Sequence, residues 1–181
     1  MKKLLIGGFL IMALVACAKD QLVTKDVVDL LPADNEISGW TKNSALEIAE
    51  NQAQLFDLID GGAETYVNDG FVKCAFQRYA GMISNTPVEA ELQIFDMDTT
   101  ANADKVYHDL TTGSEMPWTG DNPGMEARIT WAQFFSYTIE FWEDRFYIIV
   151  KVEQDSDPAL NIAKLFAFNV SNAIRDTTST Q

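Results

Sequence analysis

Residues 50–71 constrain the fold of this chain more than any other stretch. Apolar residues recur there at the three-to-four spacing of one helical face. The glycine pair Gly61-Gly62 interrupts the pattern, because two glycines inside a helix cost about 2 kcal/mol relative to alanine. A helix that keeps them must either pack closely against a strand or bend between two short helices. Gly70 is placed to end the helix in a left-handed conformation, before a strand that opens at Phe71. The apolar face consists of Leu55, Ile59, Ala63, Tyr66 and Val67.

Other segments alternate between apolar and polar residues, which predicts strands. The first two, joined by turn-forming residues over 81–87, indicate an antiparallel hairpin with one solvent-facing side. The last is apolar on both sides, which is typical of a central strand. These segments are 72–77, 88–94, 127–131, 134–142 and 145–153.

Capping residues predict where helices begin. A helix begins either at Ser44 or, as we expect, near Asn51 after an extended segment. Thr99 or Thr100 can cap a second helix, and Asp157-Pro158 a long C-terminal one. The sequence therefore predicts an α+β fold, with an antiparallel sheet of about five to six strands flanked by helices.

The N-terminus has the pattern of an export signal. Lys2 and Lys3 precede an apolar run that has the length of a signal-peptide core and is too short to span a membrane comfortably. The residues Leu14-Val15-Ala16-Cys17 resemble the bacterial lipobox, whose cysteine receives a diacylglyceryl group before cleavage on its N-terminal side. The alternative is an ordinary secretory signal with a chance cysteine. The predicted parts are a removed signal peptide over 1–16, a lipidated N-terminus and tether over 17–26, one domain over 27–176 and a tail over 177–181.

Lipidation at Cys17 predicts attachment to a membrane, because two or three acyl chains anchor a protein stably at about 0.8 kcal/mol per buried methylene. Ala18 rather than Asp follows the cysteine, which resembles the signal for export to the outer membrane. In a host with two membranes we expect the domain to face the periplasm. Loss of the signal peptide changes the formal charge from −14 to −16, and such a surface repels nucleic acid, which we do not expect as a partner.

The remaining cysteine and the single histidine offer little chemistry. Cys74 has no intrachain partner if Cys17 is lipidated, and it alternates with Val72 and Phe76 in a strand pattern. We expect a buried, unreactive thiol. His108 has no second histidine or free cysteine beside it, so the sequence indicates no metal site there.

Residues 111–126 show no periodicity and form a long connecting segment, a kind of loop that is often functional. Trp118 is its large aromatic residue. We expect Trp118 either to anchor a contact with a partner or to fold back on the edge of the sheet.

The order of motifs resembles a family of bacterial envelope proteins designated domain of unknown function number 6599. The resemblance rests on Leu-Phe-x-x-Ile-Asp-Gly-Gly-Ala-Glu-x-Tyr over 55–66, on Gln-Ile-Phe-Asp-Met over 93–97 and on Phe-Trp-Glu-Asp-Arg-Phe-Tyr over 141–147. It implies an exported, often lipid-anchored domain with no assigned activity, and it transfers no catalytic residue. The order of elements also resembles the PsbP-type sandwich, a likeness of fold alone.

We therefore expect a lipid-anchored envelope protein, without a cofactor, that binds a partner protein or supports assembly. An alternative is a module for a small ligand or a divalent cation such as calcium. Catalysis is the weakest hypothesis, because no nucleophile, phosphate-loop or cofactor motif accompanies the acidic pairs. The candidate oxygen ligands for a cation are Asp57, Asp60 and Glu64, then Asp96 and Asp98, and Asp155 and Asp157.

Overall fold

The computed structural model describes residues 25–118, 120–132 and 136–176. Over these residues the chain forms one antiparallel sheet with helices on both faces. The predicted α+β class is therefore confirmed. The predicted signal peptide, Cys17 and the tail over 177–181 lie outside the described residues.

The sheet has eight strands in the order β1-β3-β4-β8-β7-β6-β5, and β2 also pairs with β3. The five longer strands correspond to the five predicted segments, although their ends differ, and the predicted strand residues 134 and 135 lie outside the described part of the chain. The other three have only two or three residues, too few to show alternation, so the sheet exceeds the predicted five to six strands. The strands are β1 (Thr41–Lys42), β2 (Glu47–Ala49), β3 (Lys73–Ile83), β4 (Thr86–Asp96), β5 (Met116–Pro117), β6 (Glu126–Ala132), β7 (Ser136–Glu143) and β8 (Phe146–Val152).

The helices divide the core between the two faces of the sheet. One face packs against α4, and the opposite face packs against α1, α2 and α3. Strand β8 lies between β4 and β7 and is covered on both faces, as its two-sided apolar pattern predicts. The helices are α1 (Gln52–Ile59), α2 (Ala63–Asn68), α3 (Thr100–Asp109) and α4 (Asp157–Arg175), with short 3₁₀ helices at Val27–Leu30 and Asp60–Gly62.

The predicted helix over 50–71 is divided by a bend. Asp60 has φ +50°, and a 3₁₀ turn joins α1 to α2. Apart from adjacent residues and the local helix backbone, no atom lies within 4 Å of a Cβ placed on Gly61 or Gly62, so the glycines are not there for close packing. The alternative of two short helices is the correct one. Gly70 ends the run at φ +96° as expected, but the strand begins at Lys73 rather than at Phe71.

The β3–β4 hairpin turns within the predicted segment 81–87, but the turn takes only two residues and the strands extend into the rest of that segment. Ser84 and Asn85 have φ +51° and +66°, the left-handed pair that a two-residue hairpin turn requires. Gly81 instead lies within β3, where a Cβ would come 2.5 Å from the Trp40 indole. Trp40 is 2% exposed and lies edge-on to Phe166, with the ring centroids 5.6 Å apart. The glycine in the predicted turn therefore makes room for a core tryptophan.

Two of the three predicted helix N-caps are the observed ones, and the third lies one residue earlier than predicted. Asn51 caps α1 by accepting from Gln54 N, and Thr99 caps α3 by accepting from Asn102 N. At α4 the cap is Ser156, whose hydroxyl accepts from Ala159 N. Asp157 and Pro158 therefore occupy the first turn, where a proline costs no hydrogen bond.

Candidate functional site

A cleft of about 440 Å³ opens where the end of α3, the start of β6 and the segment between them meet. The cleft lies in the segment that the sequence indicated as a contact surface. Its polar and aromatic lining consists of Tyr107, His108, Thr111, Glu115, Trp118, Asn122, Glu126 and Arg128.

Glu115 fixes the turn that forms one side of the cleft. Its carboxylate accepts hydrogen bonds from the Thr112 backbone N at 2.6 Å and from the Thr111 and Thr112 hydroxyls at 3.0 and 2.8 Å. Burial alone would raise the pKa of Glu115, but these hydrogen bonds outweigh it and lower the pKa to about 2. Glu115 is therefore a fixed negative charge near neutral pH and not a proton donor.

Trp118 lies against α4 and also lines the cleft. Its ring is edge-on to Phe168 at a centroid distance of 5.6 Å, and the Lys164 ammonium lies 5.1 Å from its ring centroid. Its backbone N donates to Ala127 O at 3.1 Å, which extends the pairing of β5 with β6. This position corresponds to the alternative in which Trp118 folds back. Because the ring is only half-buried, its role as a partner anchor stays a prediction.

Arg128 lines the cleft from β6 and is 5% exposed. Its Nε pairs with the Glu140 carboxylate on β7, and its Nη1 donates to Tyr107 O on α3 at 2.6 Å. The guanidinium carbon also lies 4.3 Å from the Tyr107 ring centroid. Burial raises the pKa of Glu140, and the positive charge of Arg128 opposes that shift. Arg128 therefore ties α3 to the sheet through a buried ion pair.

Two buried polar atoms of the cleft residues lack a hydrogen-bond partner within the described part of the chain. They are Nη2 of Arg128 and Oδ1 of Asn122. Most buried polar atoms in folded proteins are paired with protein or water. Because each of these atoms has almost no solvent exposure, a guest in the cleft would reach them only after the side chains move. Sequence reasoning missed both residues, since Arg128 sits in an ordinary strand pattern and Asn122 in an aperiodic segment.

Three potential metal ligands meet at one side of the cleft. His108 Nε2 lies 3.2 Å from Asp104 Oδ1 on the same helix and 3.7 Å from Glu126 Oε1 on β6. Sequence spacing gives no sign of the third ligand, because Glu126 reaches His108 only through the fold. Among the described residues, no other group of three or more His, Cys, Asp or Glu converges in this way, so the acidic sets predicted for calcium do not form such groups.

Both cysteines were predicted to have structural or anchoring roles. Cys74 is fully buried, and burial raises the pKa of its thiol to about 12, so it is unreactive as predicted. Cys17 lies outside the described residues. Within the described residues, no helix combines the length and apolar character needed to cross a membrane.

Comparison with known proteins gives one weak structural similarity. No family model matches the chain, and no curated protein matches it. The chain is similar to the crystal structure of the extracellular domain of PknH from Mycobacterium tuberculosis, with a TM-score of 0.45 and 12% sequence identity. The match covers 81% of this chain and 95% of that one. A similarity of this size supports no inference about function, and the family resemblance stays a prediction.

Proposed function

We propose that this chain is a lipid-anchored protein of the bacterial cell envelope whose domain binds a partner protein and is not a catalyst. The lipobox residues over 14–17 support the anchor, and Ala18 supports an outer-membrane destination in a host with two membranes. The anchor would hold the domain near the membrane surface, within reach of other envelope proteins.

The observation that carries the proposal is the setting of Trp118. Phe168 and Lys164 hold its ring in place, while part of the ring remains exposed beside an open cleft. An aromatic side chain that is already ordered loses little conformational entropy on binding, and tryptophan is enriched among the residues that dominate interfaces. Two methionines of the same segment, Met116 and Met125, are 51% and 63% exposed and add adaptable apolar surface.

The charge of this surface indicates the character of the partner. The whole chain carries a formal charge of −14, and the cleft is lined by the carboxylates of Glu115 and Glu126. A partner that binds this surface should carry Lys or Arg side chains around an apolar patch. Complementary charge speeds association and disfavours wrong partners.

The test is affinity purification of the full-length lipidated protein from gently solubilised envelopes. A Trp118→Ala variant should lose a co-purifying protein that the unmodified chain retains in near-stoichiometric amount. Phe56→Ala is the matched control, because Phe56 is a 44% exposed aromatic on α1, across the sheet from α4. Equal recovery of the same protein by both variants would contradict the proposal, provided that thermal melting shows both to be folded.

A second candidate function is binding of a small polar molecule in the same cleft. The unpaired Nη2 of Arg128 and Oδ1 of Asn122 favour it, because both residues line the cleft and a ligand that moved their side chains could satisfy both atoms. A compound that raises the melting temperature of the unmodified protein, but not of Asn122→Ala, would support this candidate. If a screen of metabolite-sized acids, amides and sugars gives no such shift, the partner-binding proposal is favoured.

A further inference from the structure

We propose that Asp104, His108 and Glu126 bind a divalent first-row transition-metal ion such as zinc. The ion would lie at the solvent-exposed side of the cleft. Asp104 and His108 lie one turn apart on α3, and Glu126 is the first residue of β6. Their ligand atoms all lie within 4.8 Å of one another. Two rigid elements thus bring one imidazole and two carboxylates to a single point.

The separations of these atoms suit an ion. Zinc binds nitrogen and oxygen ligands at about 2.0 to 2.2 Å, which places tetrahedral ligands roughly 3.4 Å apart. The distances from Nε2 to the two carboxylates, 3.2 and 3.7 Å, lie on either side of that value. The side chains of His108, Asp104 and Glu126 are 55%, 46% and 50% exposed, so small rotations can complete the geometry without movement of the backbone.

Hydrogen bonding alone satisfies this cluster poorly. Nε2 carries at most one hydrogen, and of the two carboxylate oxygens only that of Asp104, at 3.2 Å, lies within hydrogen-bond distance, since that of Glu126 is 3.7 Å away. An ion in the same place would contact all three ligands at once. Three protein ligands also leave a fourth position open to water, as in zinc sites that take a further ligand.

Two residues of the neighbouring cleft each have a buried polar atom without a hydrogen-bond partner among the residues that the structure describes. Arg128 is nine-tenths or more buried, and its Nη2 lacks a hydrogen-bond partner within the described residues, as does Oδ1 of Asn122. Both residues line the same cleft as His108 and Glu126. Both atoms have almost no solvent exposure, so they are not counted among the ligands of the ion.

The ligand set selects the class of ion. Calcium requires six to eight oxygen ligands and magnesium a nearly ideal octahedron, whereas an imidazole nitrogen with two carboxylates suits zinc, nickel or copper. The formal charge of −14 adds a general attraction for cations but does not favour one of them.

The test is isothermal titration of full-length, chelator-treated protein with ZnCl₂, using a preparation that carries no histidine tag. We expect one ion per chain. His108→Ala should weaken binding at least about tenfold, and Glu126→Gln should do the same. Asp109→Asn is the matched control, because Asp109 is an exposed carboxylate at the end of the same helix that pairs with Lys105, and this variant should bind zinc normally.

The chain's single histidine gives a second readout. Its imidazole proton resonances should shift or broaden on addition of one equivalent of zinc, and in the Asp104→Asn variant they should change less at the same zinc concentration. No binding heat at millimolar zinc would overturn the proposal, as would binding that survives His108→Ala unchanged. Either result would leave the Trp118 experiment unaffected, because that experiment reports on protein capture.

Discussion

The ion pair between Arg128 and Glu140 should dominate the stability of the region around the cleft. The two residues lie directly opposite each other on β6 and β7, and their side chains are 6% and 18% exposed. Removing one member of a buried pair costs about 3 to 5 kcal/mol, because the other charge stays buried without its partner. Since Glu140 keeps some contact with solvent, we expect Arg128→Met to lower the free energy of unfolding by about 3 kcal/mol.

The stability lost in Arg128→Met should depend on pH, because the Glu140 carboxyl can bind a proton. Burial already raises the pKa of Glu140 in the folded protein, and loss of the guanidinium should raise it further. A carboxyl whose pKa is higher in the folded state binds protons more tightly there, so stability falls as pH rises from the unfolded pKa through the folded one. The cost of Arg128→Met should therefore be smallest near pH 4.5 and should grow toward neutral pH.

Urea denaturation between pH 4.5 and pH 8 would measure this effect. The double variant Arg128→Met/Glu140→Leu should recover most of the lost stability, because replacing both members of a buried pair with apolar residues is often neutral. A cost below about 1 kcal/mol for Arg128→Met, or one that does not vary with pH, would show that Glu140 is not left as a buried charge without its partner. So would a double variant that is less stable than Arg128→Met alone.

Three further variants test the fold and the anchor. Gly62→Ala should stabilise the protein by about 0.4 to 1 kcal/mol in thermal denaturation, because Gly62 has helical angles of −68° and −17° and open space around it. Gly81→Ala should instead destabilise it by about 1 to 3 kcal/mol, since the new methyl group meets the Trp40 ring. Cys17→Ser should move the chain from the membrane fraction to the soluble fraction, and the unmodified protein should carry the mass of its acyl chains at Cys17.

Local patterns in the sequence predicted most of the secondary structure, because alternation and helical spacing depend on near neighbours. They located the hairpin, the central strand β8 and the helices capped by Asn51 and Thr99. They overestimated the length of the β3–β4 turn, since Gly81 resembles a turn residue but lies within β3, where it leaves room for the Trp40 ring. The length of β3 therefore depends on a contact with a residue distant in sequence.

The site was predictable only in part. The aperiodic segment around Trp118 marked the right region, because a long connection without repeats stands out in any sequence. The pairing of Arg128 with Glu140 depends on the register of two strands, and the approach of Glu126 to His108 depends on how α3 packs on the sheet. Neither relation is visible until the elements are placed together in space.

Photocrosslinking in the envelope is the most direct test of partner binding. Benzoylphenylalanine would replace Trp118 in the full-length lipidated chain, and in a separate control it would replace Phe56. If Trp118 contacts a partner, one crosslinked envelope protein should form from position 118 and be absent from position 56. The same set of products from both positions, or none from position 118 in folded and membrane-bound protein, would contradict partner binding at Trp118.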